Sequence, residues 1–160
     1  MRRLARWAAV LAMPGLASCG FHLQQPTRLP ATLAVVSLDA VDTQSDFYHA
    51  LRRSLQDAGT TLSDSDPRAV KLSILKDDAE AKVLIVSALN VPTDYEFTYT
   101  VRFAVKAGDK ELIAPENLTL MREYSYTEAT VLARQREQDV LRAALARDLS
   151  TVVMRRLASL

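Results

Sequence analysis

One cysteine, two histidines, one tryptophan and four glycines in 160 residues leave little room for several kinds of chemistry. A single cysteine cannot form an intramolecular disulfide, so oxidative stapling is excluded. Metal sites draw on three or four clustered ligands, and His22 and His49 stand far apart with no second thiol to join them. No glycine-rich phosphate loop, Gly-x-Ser-x-Gly elbow or His-Glu-x-x-His helix occurs. Beyond the first residues no stretch reaches the roughly 20 apolar residues that a membrane-spanning helix needs. An excess of one charge is also lacking: 20 basic residues face 19 acidic ones, which gives no electrostatic argument for nucleic acid. These absences point away from an enzyme, a metal or other dissociable cofactor, and a nucleic-acid partner.

What is present begins with a basic and apolar leader. Arg2, Arg3 and Arg6 precede an apolar run from Trp7 to Met13, and small residues then lead into Leu16-Ala17-Ser18-Cys19-Gly20. This is the three-part layout of an export signal, and the run is too short to cross a bilayer. Leu16, Ala17 and Ser18 before the sole cysteine fit the lipobox pattern of bacterial lipoproteins. Residues 1–18 are therefore expected to be a cleaved signal peptide and 19–32 a tether. Cys19 would carry covalent lipid, N-acyl and S-diacylglycerol. A lone cysteine is more often a buried small hydrophobe, and an ordinary secretory signal with an incidental cysteine is a second alternative. A buried residue, however, would not sit at the junction of a leader and a polar segment. Gly20, where an aspartate would favour inner-membrane retention, resembles lipoproteins bound for the outer membrane. Cleavage removes three of the 20 basic residues and leaves 142 residues of near-neutral charge, enough for one domain with a core.

The rest reads as a single α+β domain over 33–160. Gln24, Gln25, Pro26, Thr27 and Pro30 give the tether an extended, turn-rich composition. Leu33 to Leu38 is a short apolar run expected to be the first strand. Asp42-Thr43-Gln44-Ser45 carries helix-start chemistry, and Phe47, Tyr48, Leu51 and Leu55 recur at helical spacing until Gly59, a C-cap residue. A helix over 45–58 follows. Val70, Leu72 and Ile74 alternate with polar residues as in a half-buried strand. Asp77-Asp78-Ala79-Glu80 then interrupts, and a β-prone run resumes over Lys82 to Leu89, which leaves open whether the two pieces form one bent ribbon. Asp77, Asp78 and Glu80 make a carboxylate cluster that, in a turn, reads as solvated loop charge.

Tyr95, Phe97, Tyr99, Val101, Phe103 and Val105 alternate strictly with polar residues, so one face should meet a core. Ala107-Gly108-Asp109-Lys110 is a hairpin connection. A further strand over 111–126, interrupted near Pro115, places Leu118, Leu120, Arg122 and Tyr124 on one side. Ser125 and Glu128 have capping-box spacing before a long helix from Ala129. Its apolar stripe is Leu141, Leu145, Leu149, Val152, Val153 and Leu157, with Arg142, Arg147, Arg155 and Arg156 outside it. The expected architecture is two helices on one face of a roughly four-stranded mixed or antiparallel sheet. Arg134 and Arg136, in the polar opening of the last helix, read first as solvated surface. The functional alternative is that their guanidinium forks pair with phosphates on a ligand.

Several stretches in order resemble the LPS-assembly lipoprotein family LptE (RlpB). They are Cys19-Gly20-Phe21-His22-Leu23, Leu29-Pro30, Ala50-Leu51-Arg52-Arg53-Ser54-Leu55 through Gly59, Tyr95 through Val101, and Leu132-Ala133-Arg134 through Gln138. The resemblance implies an outer-membrane lipoprotein on the periplasmic side, lipid-anchored. It would plug and help assemble the LptD β-barrel and bind lipopolysaccharide on its way to the outer leaflet. Arg134, and with it Arg136, is then the candidate contact for lipopolysaccharide phosphates. One departure is that residues 89–94 contain no Lys or Arg, so a second cationic contact would come from elsewhere, for example Arg102 or Arg122. The rival reading is an auxiliary lipoprotein of a different transport or cell-wall system. A lipid-anchored hydrolase would need a nucleophile–base pair that is not found.

Overall fold

A computed structural model describes residues 28–88, 90, 92–125 and 131–160, with side chains of the last segment from Gln135 onward. A 3-10 turn at Ala31–Leu33 leads into β1 (Val35–Ala40), α1 (Asp46–Asp57), β2 (Thr61–Leu62), β3 (Val70–Val86), β4 (Pro92–Ala107), β5 (Lys110–Ser125) and α2 (Val131–Ala158). The strands form one mixed sheet in the order β2-β1-β3-β4-β5. β1 runs parallel to both β2 and β3, and β3, β4 and β5 form an antiparallel meander. The α+β class and the pair of helices agree with the sequence reading. Among the described residues the strand count is five, because β2 is a two-residue pairing of Thr61 and Leu62 with Val35 and Val36, too short to leave a periodicity.

α1 begins where Ser45 Oγ accepts the amide of Tyr48 at 3.0 Å, relieving one of the orphan N–H groups of its first turn. It ends in a Schellman arrangement, with the Gly59 amide on the Gln56 carbonyl and the Thr60 amide on that of Leu55. Gly59 has φ +86°, a left-handed conformation that glycine adopts without steric penalty. Phe47, Leu51 and Leu55 from this helix and Leu145, Leu149, Val153 and Leu157 from α2 enter the core against Ile74, Tyr99, Val101, Phe103 and Val105. The expected stripe of α2 is the buried one, and Arg142, Arg147, Arg155 and Arg156 lie outside it, exposed.

The interruption expected at Asp77-Asp78-Ala79-Glu80 does not occur: Val70–Val86 is one strand of 17 residues. Ile74 pairs with Phe103 and Lys76 with Arg102, so Leu75 is an extra, bulged residue. Strand faces alternate with period two, and one inserted residue exchanges them. Before the bulge Val70, Leu72 and Ile74 face the helices. After it the residues opposite Val101, Tyr99, Phe97 and Tyr95 do so, namely Asp77, Ala79, Ala81 and Val83. A phase change of this kind looks like a turn in a periodicity reading. β5 is likewise continuous through Pro115. Its register shifts between the Phe103 and Val105 pairings, and an edge strand with a bulge tolerates a residue that lacks an amide proton.

α2 begins at Val131 in the described residues, and Glu128 of the expected capping box lies outside them. Ser125 closes the end of β5, its hydroxyl donating to Asp94 Oδ1 at 2.5 Å. β1 reaches only as far as Ile74 along β3. The far part of β3, with β4 and β5, therefore continues as a three-stranded ribbon for about 30 Å at some 3.3 Å per residue.

Candidate functional site

Two features of the ribbon stand out from the fold's internal needs. Its end is apolar: Val83, Leu84, Ile85 and Val86 are 42–55% exposed. Its face away from the helices is polar, with Lys76 opposite Arg102, Asp78 opposite Thr100, Glu80 opposite Thr98 and Lys82 opposite Glu96. Most strand pairs there set opposite charges, or a charge and a hydroxyl, side by side, which favours pairing and solvation together. The helix-facing side is held down at the far end by Tyr95 and Tyr124, whose rings stack at 5.3 Å, and by Gln138 of α2, which donates to the Tyr124 hydroxyl at 2.9 Å. The opening turns of α2 are thereby fixed over the end of the ribbon.

Arg136 lies in those turns and is exposed. The backbone of Arg134 belongs to the same helix, while its side chain is outside the described residues, as is Cys19. Arg102 projects from the polar sheet face and Arg122 from the other, where it approaches Asp148 of α2 at 3.6 Å. The two candidate auxiliary cations are therefore on opposite faces and do not form one patch with Arg136. Among the described residues no group of three His, Cys, Asp or Glu side chains is placed to hold a metal ion. No described helix is long and apolar enough to cross a membrane.

The carboxylate cluster is not loop charge throughout. Asp77 is half-buried and accepts hydrogen bonds from Ser45 and from the Tyr99 hydroxyl, the latter at 2.8 Å. One side chain thus ties the N-cap of α1 to the two long central strands. An open cleft of about 340 Å³ borders it, lined among others by Asp42, Asp46, Asp78 and Arg142. Burial pushes the Asp77 carboxyl above the ordinary aspartate range, against the two hydrogen bonds that pull it down, and Asp42 and Asp46 add to the rise. Burial and the bond to Asp77 also raise the Tyr99 phenol. Periodicity could not have found this role, since it depends on the bulge at Leu75.

A raised folded-state pKa means that the fold disfavours the ionised form, so stability from this group increases as pH falls through that value. Asp77→Asn is expected to fold at neutral pH within about 1 kcal/mol of the parent or above it, because the amide can serve both partners. Asp77→Ala is expected to lose about 1–3 kcal/mol by leaving the Tyr99 hydroxyl proton without its carboxylate acceptor. Urea midpoints at pH 7 and pH 5 test this, and equal losses in the two variants would refute it.

The sequence model of the LptE family, described as Lipopolysaccharide-assembly, matches residues 31–157. Along 152 residues the chain is 24% identical to the LPS-assembly lipoprotein LptE of Pectobacterium atrosepticum, covering 94% of this chain and 82% of that protein. The crystal structure of rare lipoprotein B from Shewanella oneidensis has the same fold, with a TM-score of 0.70 and 24% identity over 78% of this chain and 94% of that one. So does the solution structure of lipoprotein B from Nitrosomonas europaea, at a TM-score of 0.69 and 19% identity, covering 88% and 91%.

Proposed function

Since the chain belongs to the LptE family of lipopolysaccharide-assembly proteins, we propose that it plugs and helps assemble an LptD-type β-barrel and binds lipopolysaccharide during insertion into the outer leaflet. Residues 1–18 are removed on export, Cys19 carries the lipid, residues 19–32 are the tether, and 33–160 are the working domain on the periplasmic side of the outer membrane. The observation that carries this reading is the extent of the family match, which spans the sheet and both helices.

The physical chemistry supports a plug. A barrel lumen of this kind is polar and wet, and the face of charges and hydroxyls along the ribbon suits it where an apolar face would not. The four consecutive exposed apolar residues 83–86 at the ribbon's end are the kind of surface that marks an interaction site and would be covered in the complex. Arg134 and Arg136 at the start of α2 provide guanidinium forks for lipid A or core phosphates.

Affinity purification through a tag, after gentle detergent extraction, tests the partner. Recovery of a large β-barrel is expected, and its reproducible absence would favour the auxiliary-lipoprotein reading. The ligand contact has its own test in lipopolysaccharide binding by the purified protein. Arg134→Glu with Arg136→Glu is expected to weaken binding about tenfold or more, the effect of losing charge-assisted hydrogen bonds. Undiminished binding would remove these residues from the site.

A further inference from the structure

The two helices carry Arg52, Arg53, Arg136, Arg142, Arg147 and Arg155, all exposed. Arginine on this protein does find carboxylates: Arg68, Arg122 and Arg156 each hold one. Arg53 and Arg147 hold none among the described residues, although they come from different helices and line one groove. That groove, about 270 Å³, lies between α1 and α2 and is bounded by Ala50, Arg53, Ser54, Asp57, Arg147 and Thr151.

We propose that this inter-helix groove is a binding site for a phosphate group, held between the Arg53 and Arg147 guanidinium groups with the Ser54 hydroxyl as a third donor. Each guanidinium is planar, permanently charged and matched to two phosphate oxygens. The packed helices fix where the two side chains start, and binding must still order the exposed guanidinium arms. Ser54 Oγ lies 3.0 Å from Ser150 Oγ, and Ser150 is buried. When Ser150 donates within that pair, the Ser54 proton is free for the groove. Thr151 is already committed, donating to the Arg147 carbonyl at 3.0 Å, so it contributes shape and not a donor. Asp57, four residues after Arg53 on the same helix, is the opposing charge. It leaves the groove with one net positive charge, which favours a phosphate over a neutral ligand while keeping affinity modest. Ala50 at the groove wall leaves room for the oxygens. The site is separate from Arg134 and Arg136 and does not depend on a barrel partner.

The test is an NMR titration of the full chain in detergent, at constant ionic strength, with inorganic phosphate, short-chain phosphatidic acid and short-chain phosphatidylcholine as probes. The amides of Ser54 and Asp57 and the Nε–H signals of Arg53 and Arg147 are expected to shift and saturate with phosphate. The double variant Arg53→Gln with Arg147→Gln is expected to weaken this about tenfold or more. Both arginines are exposed and without ion pairs among the described residues, so the variant should keep its denaturation midpoint, which is measured alongside. Saturation by phosphatidic acid but not phosphatidylcholine assigns the phosphate to a lipid headgroup. Saturation by inorganic phosphate alone assigns it to a soluble phosphate and not to a lipid headgroup. Absence of saturable shifts with either phosphate probe, or shifts unchanged in the double variant, overturns the site.

Discussion

Phe103→Ala is expected to lower the free energy of unfolding by about 3–5 kcal/mol, a large share of what holds a domain of this size together. Phe103 is fully buried in β4, the strand paired on both sides along its length, with Ile74 of β3 and Glu116 of β5 opposite it. It sits next to the bulge at Leu75, where β3 changes phase and the body gives way to the ribbon. Truncation removes the ring from the cluster that both helices pack against and leaves a cavity which the rigid strand pairings cannot collapse. Phe103→Leu keeps most of the volume and is expected to cost under about 1.5 kcal/mol. Chemical denaturation followed by far-ultraviolet circular dichroism compares the two. A loss under about 1 kcal/mol for the alanine variant would show that the core is not continuous through this position.

The parts of this fold legible in the sequence are those where one residue pattern runs unbroken. The alternation from Tyr95 to Val105 and the stripe from Leu141 to Leu157 each report a single burial direction, and both faces are as the periodicity implies. Ser45 and Gly59 were readable as the two ends of α1, because caps are chosen by local hydrogen bonding. What escaped was non-local. β2 exists only because β1 offers an edge to Thr61 and Leu62. The length of β3 depends on a bulge that inverts its faces, so Asp77 reads as a loop carboxylate although it points under the N-terminus of α1. Asp77, Ser45 and Tyr99 are up to 54 positions apart in sequence, and only the sheet register brings them together. The Arg53–Arg147 groove is similarly invisible: each arginine looks like ordinary solvated helix surface until the helices are packed. Resemblance carried the functional reading further than periodicity, because short stretches spread from Cys19 to Gln138 keep the family's order.

Cys19→Ala is expected to have the largest effect on where the protein resides and almost none on its fold. Among the described residues the buried core begins at Leu33, with Leu29 packed against it, so the proposed anchor at Cys19 and the folded body are expected to be separable in stability terms. A buried acyl chain contributes about 0.8 kcal/mol per CH₂, and one chain alone holds a protein only reversibly. The proposed N-acyl group and diacylglycerol thioether would supply three chains on one residue, well beyond that threshold. The parent protein is therefore expected entirely in the membrane fraction. Its intact mass should correspond to a chain starting at Cys19 plus the lipid. Without the thiol, neither diacylglycerol transfer nor the cleavage that follows it can proceed. The variant should retain residues 1–18, carry no lipid mass, and unfold at the parent's denaturant midpoint. Mass decides the point more cleanly than fractionation, since an uncleaved apolar leader or a bound barrel could hold the variant at the membrane. A parent protein whose mass shows a free, unmodified thiol at residue 19 would overturn the anchor and leave the body's own surfaces as the only means of reaching the membrane.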